Sequence, residues 1–204
     1  MFPKISPIIP ERRPDIFEHP DWVYELKHDG FRALAYLDQG LCRLVSRRGN
    51  EMKRFEDLRA SLGKELKVKN AVLDGEIVAI DESGMPAFYD LMKRKRQTVY
   101  FAFDLLWLNG KDLRDLPLLE RKKILRSVIP QKSSWIGYVS FIDRHAAKLF
   151  DLVKARDLEG LVVKRRDGKY RPETRWYKVL NPAYSQKAGR AEFFQPAKKP
   201  TARS

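Results

Sequence analysis

The chain has 204 residues, of which 43% are hydrophobic, so it can bury the core of one large globular domain and is not a disordered chain. Its 41 Lys and Arg residues against 27 Asp and Glu residues give a net charge of +14, which favours a polyanionic partner, nucleic acid before membrane. The single cysteine excludes an internal disulfide. One cysteine and three histidines in the whole sequence are too few ligands to favour a structural zinc site. No apolar run suits a signal peptide or a membrane span, so we expect a soluble cytoplasmic protein.

The N-terminal part predicts an arm followed by three strands. Five prolines fall within residues 1–20, which favours an extended arm on the domain surface. Apolar and polar residues alternate over residues 22–27 and 31–37, and Asp29-Gly30 between these runs is typical of a hairpin turn. We therefore expect a β-hairpin here, followed by a third strand over residues 41–46.

Lys27 stands at the rim of the first hairpin strand, and Arg32 lies just across the expected turn. Two neighbouring cations favour the neutral amine on a lysine, which is the form that a nucleophilic lysine needs. Taken alone, the stretch fits a solvated surface hairpin better, and the residues downstream reverse this preference.

Strands and helices are interspersed over the rest of the chain. Apolar residues at helical spacing predict four helices, over residues 52–66, 87–95, 117–128 and 143–156. Apolar runs predict five more strands, over residues 71–81, 99–108, 138–142, 161–164 and 175–180. Asp143 should cap the last helix, whose apolar stripe includes Leu152. Several hairpin signals among these elements favour an α+β fold with mainly antiparallel sheet.

Two glutamates border strongly apolar strands. Glu76 directly precedes an apolar run, and Glu159-Gly160 precedes another. Each glutamate either points to solvent at a strand end or faces a cation in a cleft, since Glu is rarely buried unpaired. Mg²⁺ is commonly bound by one or two carboxylates and keeps its other coordination positions for water and phosphate oxygens. Two glutamates at the ends of strands suit such a site. Phe103 is either a core aromatic or a platform for a purine, and Lys178 is either a surface lysine or a phosphate ligand.

The order of these features resembles the covalent nucleotidyltransferase superfamily, which contains ATP-dependent DNA ligases, RNA ligases and mRNA capping enzymes. The matching motifs, in chain order, are Lys27-x-Asp29-Gly30-x-Arg32, Ser46-Arg47-x-Gly49, Asp74-Gly75-Glu76, Phe103-Asp104, Glu159-Gly160-x-x-x-Lys164 and Trp176-x-Lys178. Tyr24-Glu25-Leu26-Lys27 and Asn181-Pro182-Ala183-Tyr184 are most similar to bacterial end-joining ligases, and the resemblance extends from about Pro3 to Tyr184.

Composition and the resemblance together predict three parts: the proline-rich arm at 1–20, an adenylation (nucleotidyltransferase) domain at 21–184, which the resemblance implies, and a basic, disordered tail at 185–204, which follows from the composition. The resemblance implies antiparallel sheets flanked by helices, in a ligase catalytic domain of the covalent nucleotidyltransferase (ATP-grasp-like) type. The implied cofactors are ATP and Mg²⁺ or Mn²⁺, and the implied partner is nicked or broken duplex DNA.

The resemblance also assigns roles to single residues. Lys27 would attack the α-phosphate of ATP and form lysyl-AMP. Glu76 and Glu159 would serve the metal, and Glu76 the ribose as well. The other nucleotide-binding or phosphate-binding positions would be Glu25, Arg32, Arg47, Phe103, Lys164 and Lys178.

Two departures from the family pattern leave alternatives open. Leu180 stands where a second lysine is expected after Lys178, and the sequence ends at Ser204, without the OB-fold that usually follows. The expectation is a catalytic core without an OB-fold, which is weak or depends on a partner that supplies the missing role. The alternatives are an RNA ligase or capping-type enzyme, and a non-catalytic nucleic-acid-binding module.

Overall fold

The structure is a computed structural model that describes residues 2–82, 84, 86–93 and 95–187. Of the tail expected at 185–204, only the short 3₁₀ turn Ser185–Lys187 is described, and the remainder lies outside the described residues. The described residues form four helices, α1 (Glu56–Glu65), α2 (Phe88–Lys93), α3 (Leu118–Val128) and α4 (Ala146–Ala155). They form eleven strands, β1 (Glu11–Arg12), β2 (Trp22–Lys27), β3 (Phe31–Asp38), β4 (Leu41–Ser46), β5 (Asn70–Ala79), β6 (Thr98–Leu108), β7 (Lys111–Asp112), β8 (Ile136–Tyr138), β9 (Phe141–Ile142), β10 (Gly160–Arg165) and β11 (Trp176–Leu180).

The strands build two sheets. The first sheet has five strands in the order β1-β11-β10-β2-β9, and the second has six, β4-β3-β5-β6-β7 with β8 beside β6. The pairings are antiparallel except for β1 with β11 and β8 with β6, which are parallel. The α+β fold with mainly antiparallel sheets is therefore confirmed. Within the described ranges, no helix combines the length and apolarity that crossing a bilayer requires.

The hairpin predicted at Asp29-Gly30 is wrong, although both of its strands exist. β2 pairs with β10 and β9 in the first sheet, whereas β3 pairs with β4 and β5 in the second. The chain between β2 and β3 thus crosses from one sheet to the other. Glycine is needed at position 30 for close approach, because a Cβ there would lie 2.0 Å from the carbonyl oxygen of Ile77. The hairpin turn comes one strand later, where Gln39 and Gly40 adopt φ values of 47° and 81°.

Three apolar clusters hold the layers together. The largest lies between the outer face of the second sheet and α1, α2 and α3. A smaller one packs α4 on the outer face of the first sheet. The remaining cluster joins the inner faces of the two sheets, and the N-terminal arm contributes Ile5 and Ile8 to it. The sequence predicts an arm on the domain surface, but these two side chains belong to the core, and Glu11–Arg12 adds β1 to the first sheet.

Three local predictions in the C-terminal half are wrong. Asp143 does not cap α4; instead, the backbone N–H groups of His145 and Ala146 donate to the Glu18 carboxylate at 3.0 and 3.1 Å. A carboxylate satisfies the free N–H groups of a helix start whatever its distance along the chain. Leu152 is 58% exposed and does not belong to the buried stripe. The strand predicted over 138–142 is divided between β8 and β9, which lie in different sheets.

Candidate functional site

The facing surfaces of the two sheets carry most of the charged residues that the sequence identified. In the first sheet, the register sets Glu25 level with Lys178 across β10, and Lys27 lies two residues further along the same face. In the second sheet, Arg32 on β3 is paired with Glu76 on β5. Because alternate residues of a strand share a face, these side chains point into the space between the sheets.

A cavity of about 630 Å³ lies between these surfaces, a volume typical of small-molecule sites. Its lining includes eight of the nine predicted site residues, Glu25, Lys27, Arg32, Arg47, Glu76, Phe103, Lys164 and Lys178. The ninth, Glu159, reaches Lys27 from the residue just before β10. The arm adds Ile9 and Pro10 to the lining. The fold therefore gathers all nine residues at one place.

Lys27 ends β2 and forms an ion pair with Glu159, with 2.6 Å between Nζ and Oε2. The Lys27 side chain is 24% exposed and the Glu159 side chain 9%. The sequence suggested a cation beside this lysine, but its direct contact is a carboxylate. A carboxylate at this distance fixes the direction of the lysine side chain and is placed to accept its proton. The pair can therefore both orient the lysine and take up the proton that a nucleophilic amine must lose.

Glu76 faces the cavity and makes no hydrogen bond or ion pair within the part of the chain that the structure describes. Burial raises the pKa of its carboxyl to about 8. The cations Lys27 and Arg32 oppose this shift, and the carboxylates Glu159 and Asp74 add to it. A half-buried carboxyl without a partner is costly, and a bound cation or a ligand hydroxyl would relieve that cost.

Glu76 and Glu159 fit a Mg²⁺ ion in their chemistry, since both are oxygen donors beside the cavity. Among the described residues, no group of three or more His, Cys, Asp or Glu side chains could form a cage around a metal. Mg²⁺ does not need one, because it is commonly held by one or two carboxylates together with water and substrate phosphates. The pair therefore suits a metal that binds together with a phosphorylated substrate.

Arg32 is a fixed cation on the cavity wall. Its Nε and Nη2 donate to the two carboxylate oxygens of Asp74 at 3.0 and 2.6 Å, and its Nη1 donates to the Ile8 carbonyl at 2.5 Å. Burial disfavours the guanidinium charge, but the adjacent Asp74 outweighs this effect and raises the pKa of Arg32 further. The Tyr170 hydroxyl also donates to Asp74, at 2.6 Å. These contacts keep the Arg32 guanidinium charged and hold its side chain in one orientation.

Glu25 is held between two lysines and is only 2% exposed. Nζ of Lys122 donates to one carboxylate oxygen at 2.5 Å, and Nζ of Lys164 donates to the other at 2.6 Å. The Lys164 ammonium also lies 4.4 Å from the centre of the Phe103 ring. Burial lowers the pKa of Lys164; Glu25 opposes this shift, and the like charge of Lys122 adds to it. An aromatic ring and a buried cation therefore adjoin at one wall of the cavity.

Arg47 and Lys178 are the more accessible cations of the site. Arg47 follows β4 and is exposed, and Lys178 is partly exposed on β11. Neither side chain forms an ion pair with another described residue, so both can bind phosphate oxygens. Leu180 lies at the end of β11, opposite Gly160. It adds no cation where the family pattern has a second lysine.

Sequence reasoning assigned no role to Lys122, nor to Asp74 within its motif, although both support site residues. A signal existed for Lys122, because it lies four residues after Leu118 and three before Leu125, on the apolar face of α3. Its neighbour Arg121 is also fully buried, in a bidentate pair with Asp104 at 2.8 Å. Charged residues at core positions of an amphipathic helix indicate buried ion pairs.

His28 was also missed, and no local pattern signals its role. Its ring stacks on Phe101 with 4.4 Å between centroids and 7° between planes. Burial lowers the pKa of His28 to about 4; Glu25 opposes this shift, and Lys27 adds to it. The imidazole is therefore neutral at physiological pH and packs beside Lys27 as an uncharged aromatic ring.

Comparison with known proteins gives a consistent result. The family model described as "ATP dependent DNA ligase domain" matches residues 10–179. The multifunctional non-homologous end joining DNA repair protein LigD of Mycobacterium tuberculosis is 36% identical over 157 residues, which are 76% of this chain and 20% of that protein. DNA ligase 2 of Methanosarcina mazei is 32% identical over 192 residues, which are 84% of this chain and 34% of that protein.

A solved structure, described as mycobacterial DNA ligase D complexed with ATP and MES, superimposes with a TM-score of 0.75 at 30% identity. The match covers 86% of this chain and 60% of that one. Measured against the full LigD protein of Mycobacterium tuberculosis, this chain spans only about a fifth of the length.

Proposed function

Because this chain belongs to the ATP-dependent DNA ligase domain family, we propose that it is the adenylating core of a ligase that joins DNA strands at the expense of ATP. The observation that carries the proposal is the convergence of nine residues, chosen from the sequence alone, around one cavity beside Lys27. A basic surface or a retired site has no need to hold an isolated carboxyl such as Glu76 against a lysine and an arginine.

In the first step, the Lys27 amine is the nucleophile and the substrate is ATP. The ammonium passes a proton to Glu159, its direct partner at 2.6 Å, which frees the nitrogen lone pair. The N–P bond to the α-phosphorus forms as the P–O bond to pyrophosphate breaks, so the products are lysyl-AMP and pyrophosphate. Negative charge moves onto the leaving pyrophosphate, and Lys178 and Arg47, which line the cavity, would stabilise it.

Glu76 and Glu159 would hold the metal. A bound Mg²⁺ would supply charge neutralisation on the phosphate oxygens of ATP. Phe103 lines the cavity and would stack on the adenine ring, with the cations Lys164 and Arg32 at 4.4 and 5.4 Å from its ring centre. Stacking on an aromatic ring is worth about 1–3 kcal/mol per base.

In the later steps, AMP passes from Lys27 to a DNA 5′-phosphate, and the 3′-hydroxyl of the adjoining strand then displaces AMP. Each transfer forms one P–O bond and breaks one bond from phosphorus to its leaving group. A formal net charge of +14 supports binding to the phosphate backbone of nicked or broken duplex DNA. The fixed cation Arg32 and the exposed cation Arg47 are candidates for the 5′-phosphate.

The test is intact-protein mass spectrometry after incubation with ATP and Mg²⁺, with GTP in a parallel reaction. The wild-type chain should gain the mass of one AMP, and the Lys27→Ala variant should gain none. Lys148→Ala, which removes an exposed lysine on α4, is the matched control and should label like the wild type. Circular dichroism checks that Lys27→Ala is folded.

The possible outcomes separate the candidate functions. An AMP adduct that persists in Lys27→Ala would refute the assignment of the nucleophile. A gain with GTP alone would indicate a capping-type enzyme. An AMP adduct followed by sealing of nicked duplex DNA, and not of nicked duplex RNA, is the result that we expect from a DNA ligase.

A further inference from the structure

Lys122 is a buried lysine that the reaction outlined above does not use. Lys122 is 1% exposed and lies on the face of α3 that packs against the second sheet. Its ammonium has three donors and three acceptors: Glu25 Oε1 at 2.5 Å, the Val139 carbonyl at 2.9 Å and the Phe103 carbonyl at 3.3 Å. A lysine is buried this completely only when its charge and all its donors are satisfied.

The acceptors of Lys122 come from both walls of the cavity. Glu25 belongs to β2 of the first sheet, whereas Phe103 belongs to β6 of the second. The ammonium of Lys122 therefore ties a carboxylate on one wall to the backbone that carries the aromatic ring of the other wall. Its position decides how these two groups are arranged relative to each other.

Glu25 transmits this arrangement to Lys164. One oxygen of the carboxylate accepts from Lys122 and the other accepts from Lys164, so the two lysines share a single negative charge. The Lys164 ammonium lies 4.4 Å from the Phe103 ring centre and 4.1 Å from that of Trp176. Without Lys122, Glu25 would pair with Lys164 alone and would be free to draw it away from the rings.

We propose that Lys122 is a positioning residue of the nucleotide site: it orients the Glu25 carboxylate, and thereby holds the Lys164 ammonium against the rings of Phe103 and Trp176. Lys122 does not line the cavity, and the cavity-lining side chain to which it donates is that of Glu25. The assignment rests on the proposed function, because it takes ATP as the ligand of the cavity.

The experiment is a double-mutant cycle on equilibrium ATP binding. Isothermal titration calorimetry with ATP and a chelator, without Mg²⁺, measures the dissociation constant of the full chain for wild type, Lys122→Met, Glu25→Gln and the double variant. Each single change should weaken ATP binding about tenfold, the loss expected when a hydrogen bond to a charged group is removed. The double variant should have a dissociation constant for ATP no higher than that of the single variant that binds ATP less tightly, since the two residues act as one unit. Lys123→Met removes the neighbouring exposed lysine and should leave the affinity within about twofold of wild type.

Three outcomes would overturn the assignment: wild-type affinity in Lys122→Met, additive losses in the double variant, or an equal loss in Lys123→Met. Thermal unfolding checks the fold, and Lys122→Gln replaces Lys122→Met if the latter does not fold. Failure of both variants to fold would make Lys122 a structural residue and refute the proposal. A wild-type chain that neither binds ATP nor gains AMP would refute the proposed function itself, whereas AMP gain with an additive cycle would refute only the role of Lys122.

Discussion

Glu76 connects the electrostatics of the cavity to a measurable effect of pH on stability. Its pKa is about 8 in the folded chain, against an ordinary value of 4.5. Between these values the folded state keeps a proton that the unfolded state has lost, so the free energy of unfolding falls as the pH rises through 8. His28 acts in the opposite direction, but only between about 4 and its ordinary value of 6.5. The range from pH 6.5 to 8 therefore isolates Glu76 from His28.

Over that range, proton linkage for a group that titrates near 8 predicts a loss of about 1–2 kcal/mol in the free energy of unfolding. Urea unfolding of the metal-free chain at several pH values measures this loss. The Glu76→Gln variant cannot titrate and should lose this component of the pH dependence, whereas Glu82→Gln, which changes a highly exposed glutamate, should retain it. Added Mg²⁺ should also flatten the wild-type curve, because a cation beside Glu76 stabilises the carboxylate and lowers its pKa.

Equal stability of the wild type at pH 6.5 and pH 8, or an equal pH dependence in Glu76→Gln, would refute the reasoning from burial. A wild-type curve that Mg²⁺ does not change would remove Glu76 from the proposed metal site. Neither result depends on catalysis, so the measurement tests the site even in a chain that seals no DNA.

Three further substitutions test the fold around the site. Asp104→Asn leaves the fully buried Arg121 without its counter-charge and should cost about 3–5 kcal/mol, or about 10 °C in Tm by calorimetry, whereas Asp151→Asn in the exposed pair with Lys154 should cost less than about 1 kcal/mol. Gly30→Ala drives a methyl group into the Ile77 carbonyl and should lower the free energy of unfolding, measured in urea, by more than about 3 kcal/mol. Gly110→Ala, at a turn with a φ of 87° and free space around it, should lower it by about 1–2 kcal/mol. Equal losses would contradict the close approach at Gly30 and favour the hairpin interpretation. Glu18→Ala removes the carboxylate that caps α4 and should lower stability by about 0.5–2 kcal/mol, and the same loss in Asp143→Ala would contradict the observed cap.

The sequence by itself determined where most strands and helices lie and which residues form the candidate site. The strand predicted over residues 41–46 is observed with the same bounds. Asn109-Gly110, a residue pair typical of a tight turn, adopts the positive φ values of 48° and 87° that such a turn needs. These features follow from local rules: side chains alternate along a pleated strand, and a tight turn needs residues that tolerate positive φ. The order of the motifs likewise identified the set of residues that surrounds the cavity.

The tertiary structure alone decided how the elements combine. Asp29-Gly30 ends one strand and begins another in either interpretation, but only contacts with distant strands show that β2 and β3 belong to different sheets. The same holds for Asp74 as the partner of Arg32, for Lys122 as a partner of Glu25, and for Glu18 as the cap of α4. The residues of these pairs are 42 to 128 positions apart in the sequence. Such pairings depend on which buried charges and free N–H groups meet when the sheets pack, and no local sequence pattern carries that information.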